Sequence, residues 1–429
     1  MLISAFTAKS PIAAASLEMH EFNIGLLVVA ASALLLGLLS TPLKRIGLPD
    51  SVTLLLVGAA LGPTGWALLD PAQWGNEMAI LEQVARLALA IGLMGIALRL
   101  PKRYIFNHWR SLSVLLLVSM PVMWLCSSLL TGWLLGLPLG AALLIGAVVT
   151  PTDPVVASTL VTGPVAKENL PAYLRHIISS ESGANDGLTF IFVMLAVFLL
   201  TLPADQSITT RILGVLGGDI LVALVLGAVI GYSVGFAMRK AEQKNTIDQP
   251  SMLMVTTALA LTTLAAVKLV GSNGILAVFV AGVAFDLQAN ASEKQEEERV
   301  VEGVDRFFTS PIFLLLGLMI PWQAWLSLGW QAIVLVFGVL LLRRLPILLL
   351  IGGRIRELPT QLDGSFTGWF GPIGVAALYY AALAYHKTDV TELWPVVSLL
   401  VVASILVHGL TAMPFSHLYR RVRDAKKPS

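Results

Sequence analysis

The chain has 429 residues, of which 56% are hydrophobic and 13% charged, with a mean hydropathy of +0.82. A soluble chain carries about 25% charged residues, so this composition excludes a water-soluble globule and specifies a polytopic membrane protein. The net charge of +2 gives no basis for nucleic-acid binding, and the single cysteine, Cys126, excludes an intrachain disulfide or a cysteine metal site.

A membrane span needs about 20 mainly apolar residues. Counting such runs between polar, Pro or Gly punctuation predicts about thirteen helices, at 24–40, 51–69, 78–98, 111–136, 139–161, 176–201, 211–238, 251–270, 272–288, 306–320, 328–350, 366–385 and 393–418. The fold class expected is therefore an all-α polytopic membrane protein. The N-terminal extension 1–23 lacks the leading positive charge of a signal peptide, since Lys9 follows its apolar patch.

Positive residues accumulate in cytoplasmic loops. Alternate connections carry Lys44 and Arg45; Arg99, Lys102, Arg103 and Arg110; Lys167 and Arg175; Arg239, Lys240 and Lys244; Lys294, Arg299 and Arg306; and Arg354 and Arg356, followed by a basic tail over 419–429. The opposite side holds only Lys9, Arg211 and Lys387, a bias of roughly seven to one that places the N-terminus outside and the C-terminus inside. The longest polar connection, 288–306, is acidic (Glu293, Glu296, Glu297, Glu298, Glu302, Asp305) and is expected to be a solvated cytoplasmic amphipathic helix.

Ionisable residues at membrane depth cost several kcal/mol unless paired, hydrated or functional. In span 3, Glu82 and Arg86 at i and i+4 are expected to pair locally. Span 5 carries Asp153 between Pro151 and Pro154. Two prolines three residues apart remove backbone donors and predict an interrupted helix, with Asp153 either lining a wet cavity or capping the second half-helix. Span 6 follows with Glu181 and Asn185, and Ser182 and Asp186, each pair at i and i+4. Such a helix face opposite a second carboxylate supplies the oxygen ligands a hard monovalent cation takes, and places that cation at Asp153 and Asp186. Two neighbouring carboxylates also oppose each other's ionisation, which lets protons compete with the cation.

Span 8 ends near Lys268, and Asp219 opens span 7, both near the interface; Asn273-Gly274 predicts a tight turn between spans 8 and 9. Span 11 carries Arg343 and Arg344. At least one is expected to meet a carboxylate, with Glu181 the natural partner, while the other snorkels to the cytoplasmic interface. Span 12 contains Gly368, Gly371, Pro372 and Gly374 within seven residues, which predicts a second interrupted helix. Interrupted spans at the middle of spans 4–6 and of spans 11–13 point to an inverted-repeat transporter with its site at the midplane. In span 13, His408 stands alone and is expected to be a hydrogen-bonded core residue.

With these residues assembled, the chain resembles the monovalent cation:proton antiporter-1 family, close to its bacterial NhaP-type members. The match rests on Thr152-Asp153-Pro154, on Glu181-Ser182 with Asn185-Asp186, on arginine in span 11 and on the Gly-rich break of span 12, and it runs over nearly the whole chain. The resemblance implies Na⁺/H⁺ exchange, with Li⁺ or K⁺ as alternative cations, at the bacterial inner membrane. It implies that Asp186 binds ion and proton with help from Asp153, Ser182 and the Thr152 carbonyl, that Asn185 tethers the broken helix, and that Glu181 pairs with the span 11 arginine. That arginine is placed at Arg344, which precedes Leu345-Pro346, with Arg343 the alternative. The resemblance further implies a homodimer in the lipid bilayer, without a cofactor. Core helices over 111–201 and 328–418 would slide against scaffold helices over 24–110 and 202–327. Asparagine at 185 resembles the electroneutral branch, one cation per proton. One departure stands out: many relatives carry arginine where this chain has Ile373. Outside transport, two membrane aspartates would suit an intramembrane aspartyl protease, but Tyr-Asp and Gly-x-Gly-Asp signatures are lacking, and Gly217-Gly218-Asp219 is an incomplete echo. An uncoupled channel or an organic-anion transporter on a similar scaffold is the other alternative.

Overall fold

The computed structural model describes residues 27, 30–38, 48–153, 156, 158–203, 205–244, 252–288 and 307–426. Pro154, Lys44, Arg45, the extension 1–23 and nearly all of the acidic connection 288–306 lie outside these residues. The described residues form helices and no strand, as an apolar solvent requires: a helix satisfies its own backbone groups, whereas an open sheet edge does not. Six of the helices are long and apolar enough to cross a membrane.

In chain order, α1 (30–38) and α2 (Asp50–Leu61) are followed by α3 (Glu77–Arg99), which Asn76 caps by accepting from Ala79 N–H at 3.1 Å. Then come α4 (Trp109–Leu135), α5 (Leu139–Val148) and α6 (Ala172–Thr201). The next four are α7 (Ile208–Gln243), α8 (Met252–Leu269), α9 (Gly274–Asp286) and α10 (Phe307–Leu318). The last are α11 (Trp330–Arg354), α12 (Gln361–Trp369), α13 (Val375–Tyr385) and α14 (Leu393–Ala425).

The deepest core lies on α3, α5, α9 and α13, whose residues are buried on nearly every side. The perimeter is apolar too: Trp133 is 77% exposed and Leu269 is 88% exposed, the arrangement of a protein whose outer solvent is lipid. With lipid outside, close van der Waals approach decides which helices associate. α7 accordingly carries Gly227, Gly231 and Gly235 against α9; a β-carbon on Gly231 would lie 2.1 Å from the Ala281 carbonyl oxygen.

Three features depart from the predicted spans. Span 2 stops early, at Leu61, because Gly62-Pro63 cannot continue it, and Asp70 then starts a 3₁₀ turn at Pro71–Trp74. The turn before α9 is made by Gly271 (φ +83°), while Asn273 serves as the N-cap, accepting from Leu276 N–H at 3.1 Å. The third departure is in α11, which is bent at Arg343–Arg344. Pro346 has no N–H for the Leu342 carbonyl four residues back, and that oxygen instead accepts the Cys126 thiol at 3.4 Å.

Candidate functional site

Two interrupted helices cross at the centre of the molecule. One begins as α5, which ends at Val148; the short helices Ser158–Val161 and Gly163–Asn169 follow it. The other is the pair α12 and α13, separated by residues 370–374. The two breaks hydrogen-bond each other directly: Asp153 N–H donates to the Pro372 carbonyl at 2.8 Å, and Val375 N–H, at the start of α13, donates to Asp153 Oδ2. Asp153 thus caps the start of α13, the half-helix after the second break, where the helix dipole favours an anion.

Small residues make this approach possible. A β-carbon on Gly374 would sit 1.9 Å from Asp153 Oδ2, and one on Gly371 would sit 2.2 Å from Arg344 Cδ. Gly374→Ala is therefore expected to push the Asp153 carboxylate off Val375 N–H and to lower the thermal transition of the detergent-solubilised protein. An unchanged transition would show that this cap is dispensable.

α6 stands beside the break with its polar turn inward. Asn185 accepts from Thr152 N–H at 3.2 Å through Oδ1, and its Nδ2 donates to Thr152 Oγ1 at 2.8 Å and to Glu181 Oε1 at 3.3 Å. Ser182 Oγ and Thr152 Oγ1 are 3.0 Å apart. A main-chain N–H freed by the break is thereby satisfied by one amide side chain, which leaves fewer orphaned backbone groups at membrane depth.

Arg344 forms a bidentate pair with Glu181, at 2.7 Å to Oε1 and 2.6 Å to Oε2, and its Nε donates to the Thr367 carbonyl at 3.0 Å. Of the two arginines it is Arg344 that meets Glu181. The expectation that the other snorkels does not hold: Arg343 is 2% exposed and donates to the carbonyls of Val149, Thr150 and Pro151 and to that of Gly371. The bend of α11 at these two residues points both guanidinium groups into the crossing rather than along the helix toward water.

Asp186 is the exception to this complete pairing. It is 1% exposed, its Oδ1 has no hydrogen-bond partner, and its charged neighbours are the carboxylates of Asp153 and Glu181. A buried carboxylate oxygen without a donor costs several kcal/mol unless a proton or a cation occupies it.

Some contributors carried no sequence signal. The Tyr380 hydroxyl donates to the Asp186 carbonyl at 2.5 Å, and Ile373 N–H donates to Ser404 Oγ at 2.7 Å. His408 Nδ1 lies 3.0 Å from that same Ser404 Oγ, so the lone histidine of span 13 is a bonded core residue. These contacts join α13 and α14 to the site across long sequence separations, where no local spacing marks them. Glu82 faces His386 at 3.9 Å, and no Glu82–Arg86 ion pair forms.

Known proteins are similar to this chain in sequence and in fold. Residues 30–417 match the family model described as sodium/hydrogen exchanger, transmembrane. A Na(+)/H(+) antiporter of Saccharomyces cerevisiae is 30% identical over 92% of this chain and 43% of its own length. One of Schizosaccharomyces pombe is 30% identical over 86% of this chain and 84% of its own length. The chain spans about half the length of the first three curated relatives it matches. Among bacterial proteins, the Na(+)/H(+) antiporter NhaH of Halobacillus dabanensis is 25% identical over 92% of this chain and 97% of its own length. The sodium proton antiporter MjNhaP1 of Methanocaldococcus jannaschii superposes with a TM-score of 0.69, covering 94% of this chain and 99% of that one at 18% identity, and so shows the same fold. With a multi-pass helical fold, two crossed helix breaks and a family match along nearly its whole length, the chain belongs to the sodium/hydrogen exchanger family.

Proposed function

We propose that this protein exchanges a monovalent cation for H⁺ across a membrane, with Na⁺ the first expectation. The observation that carries the reading is the buried, unpartnered Oδ1 of Asp186 beside the crossed breaks. The carboxylates of Asp153 and Glu181 and the guanidinium groups of Arg343 and Arg344 have hydrogen-bond partners there, and Asp186 Oδ1 has none. A proton or a cation there neutralises the carboxylate, and only the neutralised site crosses a low-dielectric barrier cheaply. Ser182 lies one helix turn from Asp186, with Thr152 Oγ1 3.0 Å from its Oγ, and both offer oxygens to the cation, while Asp153 contributes charge from its seat at the start of α13.

The cycle proposed is alternating access of the elevator type. The core, 111–201 and 328–418, carries the crossing past the scaffold, 24–110 and 202–327, with thirteen spans, the N-terminus outside and the C-terminus inside. The stoichiometry proposed is one cation per proton, in a homodimer. The setting proposed is a bacterial inner membrane, as the NhaP-type resemblance implies, although the relatives at 30% identity are fungal. Potassium is the second reading, supported by a 25% identical relative in Shewanella named as a K(+)/H(+) antiporter. Membership in an exchanger family sets aside the protease reading.

Proteoliposomes loaded with a pH dye and challenged with Na⁺, Li⁺ and K⁺ in turn test this. Saturable proton movement in response to at least one of the three, unaffected by imposed voltage, is the expected result. Proton movement that does not depend on any of them, or ion flux without proton countermovement, would refute antiport in favour of a channel or another cargo.

A further inference from the structure

Among the described residues, five formal charges meet at the crossing: Asp153, Glu181 and Asp186 are negative, Arg343 and Arg344 positive, and all are at most 3% exposed. Glu181 and Arg344 cancel in their bidentate pair. Arg343 is of another kind, because it meets no carboxylate. Its hydrogen bonds all go to main-chain oxygens: one terminal guanidinium nitrogen donates to Val149, Thr150 and Pro151, the other to Gly371.

Those oxygens have a common origin. Val149 to Pro151 follow the end of α5, and Gly371 lies two residues beyond the end of α12. They belong to the carbonyl ends of two half-helices, where orphaned acceptors and the helix dipole favour a cation. Asp153 holds the complementary place at the amide end of α13. Only a planar fork reaches two separate strands of carbonyls at once; a lysine ammonium is a single point on a flexible stem.

We propose that Arg343 is a positioning residue for transport: it ties the two helix breaks together through their carbonyl ends and holds the crossing at a formal charge of −1, so that a single monovalent cation or a single proton neutralises it. The sum is direct, three carboxylates against two guanidinium groups. Without Arg343 the crossing carries −2, and one bound cation or proton leaves −1 to be moved through a low-dielectric barrier. The residue thereby determines which load the site accepts as neutral, without touching that load itself.

This inference rests on the antiport reading above, and the experiment separates the two. Na⁺-driven proton movement is recorded in proteoliposomes for the unmodified protein, Arg343→Gln and Arg343→Lys, at zero voltage and under imposed potentials of either polarity. The unmodified protein is expected to exchange at a rate independent of voltage. Arg343→Gln is expected to be at least tenfold slower and to acquire a voltage-dependent rate. Arg343→Lys, which keeps the charge and loses the fork, is expected to be slower than wild type but still independent of voltage. Arg343→Gln running at the wild-type rate, or slow yet insensitive to voltage, would overturn the proposal, as would a voltage-dependent Arg343→Lys. Should the glutamine variant fail to insert, the lysine variant decides alone by the same criterion. Voltage-dependent exchange by the unmodified protein overturns the charge assignment, and its failure to exchange at all overturns the antiport reading together with this inference.

Discussion

Asp186→Asn is expected to abolish cation-driven proton movement in proteoliposomes, a loss of at least about a hundredfold, while the protein still inserts and folds. Asparagine fills nearly the same volume and keeps an oxygen near Oδ1, so the packing around α6 and the contact of Tyr380 with the Asp186 carbonyl survive. What disappears is the charge. A neutral amide neither releases a proton at any working pH nor attracts a cation into a site where stripping the ion of water costs several kcal/mol, and about 1.4 kcal/mol is already tenfold in binding. Asp186→Glu keeps the carboxylate but lengthens the arm into a fully packed site, and it should retain exchange with weakened apparent affinity. Normal proton release from Asp186→Asn vesicles would remove Asp186 from the mechanism and shift attention to Asp153.

Breaking the Glu181–Arg344 pair should give the largest loss of stability. Both side chains are 2% exposed, and the pair is bidentate at 2.6 and 2.7 Å. Removing one member strands the other as an uncompensated charge in a low-dielectric interior, which costs about 3–5 kcal/mol. Glu181→Gln and Arg344→Met should each lower the thermal transition of the detergent-solubilised protein markedly. The double variant should lose less than the sum of the two, because it leaves no lone charge behind. Additive losses in the double variant would mean that the two residues act through separate partners. Arg344→Met also frees the Thr367 carbonyl, so it should be the worse of the single variants.

Much of this arrangement was legible in the sequence because a bilayer leaves few options. Pro151, and Gly371-Pro372 with Gly374, mark places where the backbone cannot complete its own hydrogen bonds, and the structure has an interrupted helix at each; Pro154 lies outside the described residues. Glu181, Ser182, Asn185 and Asp186 cluster on one turn of α6, so their shared face followed from helix periodicity. Arg343 was misread for a physical reason: in a straight helix a residue near the cytoplasmic end reaches water by stretching along the axis. The bend before Pro346 turns it inward, and no sequence rule states which way a proline-bent helix turns its flanking side chains.

The corresponding interruptions likewise pointed to an inverted-repeat transporter with its site at the midplane, but not to what each break contributes. Asp153 could have capped its own second half-helix; the fold sets it on Val375 N–H, 222 residues away. Ser404, Tyr380 and Thr367 are ordinary polar residues on apolar helices until α14 packs on the second break, α13 on α6 and α12 on α11.

Composition, span periodicity and the placement of prolines, glycines and buried carboxylates in the sequence by itself therefore determined the helical membrane class, the two interruptions and the residues that carry charge to depth. These are consequences of the cost of bare backbone and bare charge in lipid, which every residue meets independently of its partners. Only the tertiary structure decided the pairing: Arg344 with Glu181, Arg343 with the carbonyl ends of both breaks, Asp153 with the start of α13, and Asp186 left with one oxygen unclaimed. Pairing depends on distances of under about 3.5 Å between groups far apart in the chain, and helix packing, not local pattern, sets those distances.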